Sequence, residues 1–212
     1  MYSKYSKRQH HCLWCLTPLD THDFSFLIRH DYLCEEHQKI LITPIKSIVI
    51  KDIKIMYYHE YTPKIASLLF RYKEHKDTPL AGCLFLPNIK SLKRWIHQRP
   101  IVIVPSSLDK TQQRGFIPLK TALSACGLEC IEVLEKVGKQ DQKKKSKHYR
   151  QTTQFRFIFD SVGPSRNIVL IDDVCTTGHS LLTCAQLLES FGYQVECCVF
   201  AIHSSWIHQY LV

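Results

Sequence analysis

The stretch that decides the fold is Ile168-Val-Leu-Ile-Asp-Asp-Val-Cys-Thr-Thr-Gly-His-Ser-Leu-Leu182. Its four leading apolar residues predict a strand that is buried on both faces. Two carboxylates, Asp172 and Asp173, stand at the carboxyl end of this strand, where open α/β sheets bind their ligands. A loop rich in hydroxyl groups then leads into a helix predicted over residues 180–190. The stretch therefore predicts a ligand site at the edge of an α/β sheet.

The loop between this strand and this helix, residues 176–180, has the composition of a phosphate site. Consecutive backbone N–H groups, hydroxyls and the positive end of the helix dipole would converge on one anion. The carboxylates of Asp172 and Asp173 would repel a phosphate, but they suit the hydroxyl donors of a ribose. A diol beside a phosphate indicates a ribose 5-phosphate. Cys175 fills the apolar position before the loop, and we interpret it as a packed residue rather than a nucleophile.

The rest of the chain extends the pattern of alternating strands and helices. Beyond residue 100, a helix is predicted over 119–125 and strands are predicted over 101–104, 129–134, 155–159 and 194–202. Upstream, alternation over 48–58 predicts a strand or an edge hairpin, and Thr62-Pro63 predicts the start of a helix. This order predicts an α/β domain with a mainly parallel sheet.

The composition excludes several classes of protein. The 212 residues are 45% hydrophobic and 22% charged, which is enough apolar surface for a folded core. No apolar run approaches the length of a membrane span, and no apolar segment follows the basic start of the chain. We therefore expect no membrane insertion, no signal peptide and a cytoplasmic location. In such a location the ten scattered cysteines indicate free thiols rather than disulfides. The net charge of +9 favours an anionic partner.

Two short motifs near the start of the chain predict a metal centre. They are Cys12-x2-Cys15 and Cys34-x2-His37, and 18 residues separate them. Each pair can hold one side of a tetrahedral zinc ion. Other histidines lie nearby, so the identity of the fourth ligand stays open at this point. A segment this short cannot build its own core, so the metal would supply its folding energy.

Taken together, the motifs resemble the ComF family, whose members join a zinc ribbon to a type I phosphoribosyltransferase-like domain. The resemblance rests on the cysteine pairs, the helical region up to Lys73, Arg114-Gly115-Phe116, Ser146-Lys147-x2-Arg150 and the acidic pair with its Thr-Thr-Gly loop. It implies binding of phosphoribosyl pyrophosphate (PRPP) with Mg²⁺, a structural Zn²⁺, and a role in DNA uptake beside other uptake proteins. His37 stands where the family usually carries a fourth cysteine.

The resemblance also implies how the chain is divided and which residues form the site. Residues 1–42 would form the zinc ribbon, residues 43–212 the phosphoribosyltransferase-like domain, and residues 50–98 its hood. The residues expected to contact PRPP are Pro105, Ser106, Ser107, Asp172, Asp173, Cys175, Thr176, Thr177, Gly178, His179 and Ser180. Those expected to serve catalysis are Asp172 and Asp173, which would hold the ribose hydroxyls, and Arg114, on a mobile flap at the leaving pyrophosphate.

One absence narrows the substrate that the resemblance implies. Phosphoribosyltransferases that salvage 6-oxopurines carry an Asp as general base where Thr176 stands here. This chain has no carboxylate at that position. Hypoxanthine and guanine are therefore disfavoured as acceptors, and the sequence does not name the nucleophile.

A basic run between residues 139 and 150 leaves the function open. Its candidates for contact with nucleic acid are Lys143, Lys144, Lys145, Lys147 and Arg150. These cations would contact single-stranded DNA, support the PRPP loop, or only be solvated. Three hypotheses follow: an enzyme that uses PRPP, a PRPP-dependent accessory protein of DNA uptake without turnover, and a nucleic-acid-binding protein with a vestigial pocket.

Overall fold

The computed structural model describes residues 11–19, 32–137, 155–158 and 162–210. The strands are β1 (Lys46–Ile50), β2 (Ile53–Glu60), β3 (Ile101–Ile103), β4 (Leu134–Lys136), β5 (Phe155–Phe157), β6 (Asn167–Cys175) and β7 (Gln194–Ile202). The α-helices are α1 (Glu35–Leu41), α2 (Pro63–Lys73), α3 (Ala81–Phe85), α4 (Ile89–Ile96), α5 (Leu108–Arg114), α6 (Pro118–Ala125), α7 (His179–Ser190) and α8 (Ser204–Tyr210).

The central sheet has the strand order β1-β2-β7-β6-β3. Strands β2, β7, β6 and β3 are parallel to one another, and β1 pairs antiparallel with β2 at one edge. Strands β4 and β5 form a separate antiparallel pair. The predicted α/β class with a mainly parallel sheet is therefore confirmed.

Side chains of the sheet alternate between two faces, and helices cover both. We call one the α2 face, because Val169 and Ile171 of β6 pack there in one core with Ile65 and Leu68 of α2. We call the other the α7 face, because Ile168 and Leu170 of β6 pack there in a second core that includes residues of α7 and α8. Burial on both sides explains the uninterrupted apolar run of β6.

The hairpin at the sheet edge settles an alternative that the sequence left open. Residues 48–58 do not form one strand, because Lys51 and Asp52 turn the chain with φ of 49° and 65°. A two-residue loop with both residues in the left-handed region is the usual connection of a tight hairpin. The start of α2 is as predicted: Oγ1 of Thr62 accepts a hydrogen bond from the Ile65 N–H, at 3.4 Å.

One predicted strand differs from the structure, and one helix of the structure was not predicted. The strand predicted over 129–134 is wrong: Ile131 only bridges to Val102, and β4 begins at Leu134. The segment before residue 42 contains the seven-residue helix α1, which is too short to show a helical period. Glu35 and Glu36 in its first turn and Lys39 in its last suit the helix dipole.

The segments at residues 11–19 and 32–42 pack into the core of the α2 face. Cys12, Trp14, Leu33 and Leu41 are all buried there. Arg71 of α2 donates a hydrogen bond to the Trp14 carbonyl. Within the described residues, no helix is long and apolar enough to cross a membrane. The boundary at residue 42 stays a prediction.

The region predicted as a hood, residues 50–98, has a part in the main body of the fold. It contributes β2 to the central sheet, in parallel pairing with β7. Its helices supply side chains to the core of the α2 face, including Leu68, Leu84 and Leu92. The assignment of this region as a hood that selects the acceptor stays a prediction.

Candidate functional site

The acidic pair lies inside β6 rather than just after it. The strand continues past the apolar run because it stays paired with β7, with Asp172 opposite Val199 and Cys175 opposite Ile202. Strand β3 stops pairing earlier, at Ile171. Beyond this point β6 pairs with β7 alone, so the stretch that carries the acidic pair has no strand partner on the β3 side.

The two carboxylates have different partners. The Asp173 carboxylate forms an ion pair with Nζ of Lys73, the last residue of α2, and both side chains are less than 20% exposed (19% and 17%). The Asp172 Oδ1 accepts a hydrogen bond from the Asp173 backbone N–H, at 2.8 Å. Burial and the adjacent Asp173 charge raise the pKa of Asp172, and the Lys73 ammonium opposes that rise. Lys73 therefore acts as the counter-ion of the acidic pair.

The loop that follows β6 exposes polar groups at the start of a helix. Thr176, Thr177 and His179 are exposed, whereas Gly178 is buried and is the N-cap of α7. Glycine has no side chain with which to cap the first N–H groups of the helix. Thr177 Oγ1 accepts a hydrogen bond from the His179 N–H at 3.5 Å, but the N-cap residue itself provides no side-chain cap. The start of a twelve-residue helix beside two hydroxyl side chains is an arrangement that suits an anion.

The conformation of the loop depends on Gly178. Its φ is +67°, and a Cβ added there would meet Cζ2 of Trp206 at 3.2 Å and Cδ1 of Leu182 at 3.3 Å. A residue with a side chain at this position would therefore strain the backbone and crowd the side chains of Trp206 and Leu182.

We expect Gly178→Ala to lower the free energy of unfolding by about 1–2 kcal/mol, because alanine resists a positive φ. The measurement is thermal unfolding of the full zinc-loaded chain. Gly82→Ala is the matched control: Gly82 lies in α3, and its added Cβ would meet Cδ2 of Leu86 at an ordinary 3.7 Å. The control should unfold at the wild-type temperature or slightly above it. An unchanged melting temperature in Gly178→Ala would contradict the constraint on the loop.

Cys175 is a packed residue. It is 1% exposed, and burial raises the pKa of its thiol to about 12. The thiol is therefore protonated at neutral pH and is a poor nucleophile.

The segment predicted to hold pyrophosphate starts level with the acidic pair. Ile103 pairs with Ile171, and the Val104 N–H donates to the Ile171 carbonyl at 3.0 Å. Residues 105–107 and the acidic pair therefore both come shortly after a pair of residues that face each other on neighbouring strands, Ile103 and Ile171. Pro105 and Ser106 line a cavity of about 250 Å³, and Ser107 is the N-cap of α5.

Arg114 is buried at the end of a helix, and its predicted role on a mobile flap stays a prediction. It is the last residue of α5, and its side chain is 8% exposed. The guanidinium forms an ion pair with Glu74, the residue after Lys73, and its hydrogen bond and charge lower the pKa of Glu74. A buried cation requires such a partner, and Glu74 supplies it.

Four side chains near the start of the chain form a candidate metal centre. The ligand atoms of Cys12, Cys15, Cys34 and His37 all lie within 4.8 Å of one another. The Cys15 and Cys34 Sγ atoms are 3.8 Å apart, and His37 Nδ1 is 3.5 Å from Cys12 Sγ and 3.0 Å from Cys34 Sγ. Tetrahedral zinc with bonds of about 2.3 Å to sulfur has edges of about 3.8 Å. The donor set and its spacing fit zinc.

The surroundings of the cluster favour metal binding. Cys34 is the N-cap of α1 and His37 lies in its first turn, so one helix start positions both ligands. Burial lowers the pKa of His37, which favours the neutral imidazole that a metal requires. The Trp14 ring covers the His37 ring, with centroids 4.3 Å apart. Among the described residues, His37 is therefore the fourth member of this cluster.

The basic run lies outside the described residues, and so do all of its candidates for contact with nucleic acid: Lys143, Lys144, Lys145, Lys147 and Arg150. Their proposed contact with nucleic acid stays a prediction.

Comparisons with known proteins find sequence similarity over part of the chain. No family model matches the chain. The competence protein ComFC of Streptococcus pneumoniae is 29% identical over 133 residues, which is 62% of this chain and 60% of ComFC. An adenine phosphoribosyltransferase of Nitrosococcus oceani is 39% identical over 49 residues, 23% of this chain and 29% of that enzyme. The chain therefore matches less than two thirds of the length of either relative.

Among solved structures, the orotate phosphoribosyltransferase of Aeropyrum pernix is similar, with a TM-score of 0.34 and 12% identity over 82% of this chain and 94% of that one. The sequence similarity to a phosphoribosyltransferase covers 49 residues, and the chain contains a Cys3His cluster that fits a zinc ribbon. Its sequence is similar to that of ComFC, which confirms the resemblance predicted from the motifs.

Three residues of the site were not assigned from the sequence. Lys73 and Glu74 end α2, and Trp206 lies on α8 beside the loop. Lys73 entered the sequence analysis only as the end of a helical region. Nothing near these residues in the sequence marks their partners, because each contact joins distant parts of the chain.

Proposed function

We propose that the protein binds PRPP with Mg²⁺ at the carboxyl end of β6 and acts in competence and DNA uptake. The similar protein ComFC is named a competence protein. The observation that supports this most is the strand–loop–helix unit itself. Its acidic pair is followed by exposed hydroxyls and by a helix start that has glycine as its N-cap. A phosphate and a diol held side by side match this order of groups.

In this proposal the residues divide the ligand between them. Asp172 and Asp173 accept hydrogen bonds from the ribose hydroxyls, while Thr176, Thr177, Gly178, His179 and Ser180 hold the 5-phosphate. Pro105, Ser106 and Ser107 face the pyrophosphate. Mg²⁺, bound through oxygens of the ligand, would offset the charge of the pyrophosphate. Binding of the phosphate, which is remote from C1, orients the reacting carbon.

If turnover occurs, the bond between C1 and a pyrophosphate oxygen breaks and a bond from C1 to the nucleophile forms, with loss of the proton of the nucleophile. Arg114 would neutralise the departing pyrophosphate only after its ion pair with Glu74 opens. Lys73 is nearer to the acidic pair, because its ammonium already contacts Asp173. Both cations are engaged in internal ion pairs.

The internal ion pairs of Lys73 and Arg114 favour a second candidate function. A protein whose two site cations are both paired internally is suited to bind PRPP as a signal or assembly ligand without turnover. In this alternative the protein is a nucleic-acid-binding accessory factor with a non-catalytic pocket, and the basic run contacts single-stranded DNA. Release of pyrophosphate from PRPP separates the enzyme from the accessory factor.

The test is thermal unfolding of the zinc-loaded chain with Mg²⁺, with and without PRPP. PRPP at about a hundred times its dissociation constant should add roughly 2.7 kcal/mol of stability. In a chain of this size that raises the melting temperature by roughly 5–10 °C. Replacing both Asp172 and Asp173 by Asn should abolish the ligand-induced shift.

Glu189→Gln is the matched control for this test. It is also an acid-to-amide change, but it lies near the other end of α7 and is exposed. It should keep the full PRPP shift. Absence of a shift in the wild-type protein would overturn the proposed PRPP site.

A further inference from the structure

Helix α8 begins directly beside the end of β6. The His203 N–H donates to the Cys175 carbonyl at 2.9 Å, which anchors the entry to the helix. Nδ1 of His203 accepts a hydrogen bond from the Ser205 N–H at 3.3 Å, and Ile207 is buried in the core of the α7 face. The first turn of α8 is therefore held in a fixed position relative to the loop.

From this turn, Trp206 reaches the loop. Its indole Nε1–H donates a hydrogen bond of 2.7 Å to the carbonyl oxygen of Thr176. Its ring also lies against Gly178, where an added Cβ would be 3.2 Å from Cζ2. One side chain thus contacts the loop at two of its residues, through a hydrogen bond and through packing.

The hydrogen bond determines which way a peptide of the loop faces. In a planar trans peptide the C=O and the N–H point in opposite directions. No cis peptide bond is present in the described residues. Since Trp206 holds the Thr176 carbonyl towards itself, the Thr177 N–H points away from Trp206. A carbonyl turned the other way would present its negative end to an anion in the loop.

We infer that Trp206 is a positioning residue for the phosphate-binding loop. It holds the Thr176 carbonyl out of the site and the Thr177 N–H towards it, and its ring supports Gly178. This inference rests on the proposed function and assigns Trp206 specifically to recognition of the 5-phosphate. A ligand that lacks this phosphate gains nothing from Trp206.

Trp206→Phe is the variant that tests this inference, because it keeps an aromatic ring and removes the N–H donor. The dissociation constants of PRPP with Mg²⁺, ribose 5-phosphate and inorganic pyrophosphate are measured by calorimetry on the full zinc-loaded chain, below its melting temperature. We expect PRPP and ribose 5-phosphate to bind about tenfold more weakly, the effect of one well-formed hydrogen bond. The affinity for pyrophosphate should not change. A general loss of structure, by contrast, would weaken the binding of all three ligands.

Trp95→Phe is the matched control. Like Trp206, Trp95 is half-buried and has a contact of its own: the Arg99 guanidinium lies 5.0 Å from the centre of the Trp95 ring. Trp95 lies on a different helix, α4. This control should bind all three ligands as the wild type does. Ribose 5-phosphate should also change the tryptophan fluorescence of the wild type and of Trp95→Phe, and leave that of Trp206→Phe unchanged.

The outcomes separate the two proposals. If the wild type binds neither PRPP nor ribose 5-phosphate, the proposed function fails and this inference fails with it. If the wild type binds them and Trp206→Phe binds them equally well, only this inference is overturned. An equal loss of pyrophosphate affinity would also overturn it, because the effect would then not belong to the 5-phosphate loop.

Discussion

Replacing Cys12 by Ser should lower the melting temperature of the zinc-loaded protein by about 8–16 °C, which corresponds to about 4 kcal/mol in a chain of this size. Cys12 is completely buried, and its Sγ lies 3.5 Å from His37 Nδ1. Loss of the ligand removes metal-binding energy that would hold the segments at residues 11–19 and 32–42 together. The same segments supply Trp14 and Leu41 to the core of the α2 face, so release of these segments would expose apolar surface.

The measurement is thermal unfolding together with the zinc content of the purified protein. A strong chelator should shift the wild type to the melting temperature of Cys12→Ser and should not shift the variant further. Cys130→Ser is the matched control, because Cys130 is half-buried and is not a member of the metal cluster. If the chelator leaves the wild type unchanged, the cluster does not hold a structural metal.

Replacing Lys73 by Met should destabilise the protein by about 2–3 kcal/mol, somewhat less than the loss of one partner from a fully buried ion pair. The reason is that Asp173 would lose its ammonium partner in a site where both side chains are less than 20% exposed (17% and 19%). Lys64→Met is the control, since Lys64 is on the same helix but its contact with Glu36 is exposed. That change should have little effect.

The destabilisation of Lys73→Met should depend on pH in a defined direction. Lys73 opposes the rise in the pKa of Asp172, so its removal raises that pKa further. A carboxyl group whose pKa is higher in the folded than in the unfolded protein binds its proton more tightly when folded. Stability is therefore lost as pH rises from the unfolded pKa, near 4, through the folded pKa. The deficit of Lys73→Met should shrink as pH falls towards 4.

A second substitution should restore much of the stability. In the double variant Lys73→Met, Asp173→Asn, the buried carboxylate without a partner is gone, so the melting temperature should recover towards that of the wild type. Unfolding of both single variants and the double variant completes the cycle. Strictly additive effects would show that the Lys73–Asp173 contact carries no coupling energy.

The fold was largely readable from the sequence where local pattern and burial agree. The apolar run of β6 and the alternation of strands with helices predicted a mainly parallel sheet, which the strand pairing confirms. Short elements were predicted wrongly or not at all. Strand β4 has three residues and helix α1 has seven, and elements of that length carry too few residues to establish a period.

The sequence by itself determined the order of chemical groups at the site: two carboxylates, a hydroxyl-rich loop and a helix start, with four thiol and imidazole ligands elsewhere. The groups of the strand–loop–helix site are close in the chain, so spacing alone brings them together, and the same holds within each pair of metal ligands. Only the tertiary structure decided their partners. Lys73 meets Asp173 across 100 positions, Arg114 meets Glu74 across 40, and Trp206 meets Thr176 across 30. Each of these contacts joins elements that are far apart in the chain, and no local pattern records which side chains their packing brings together.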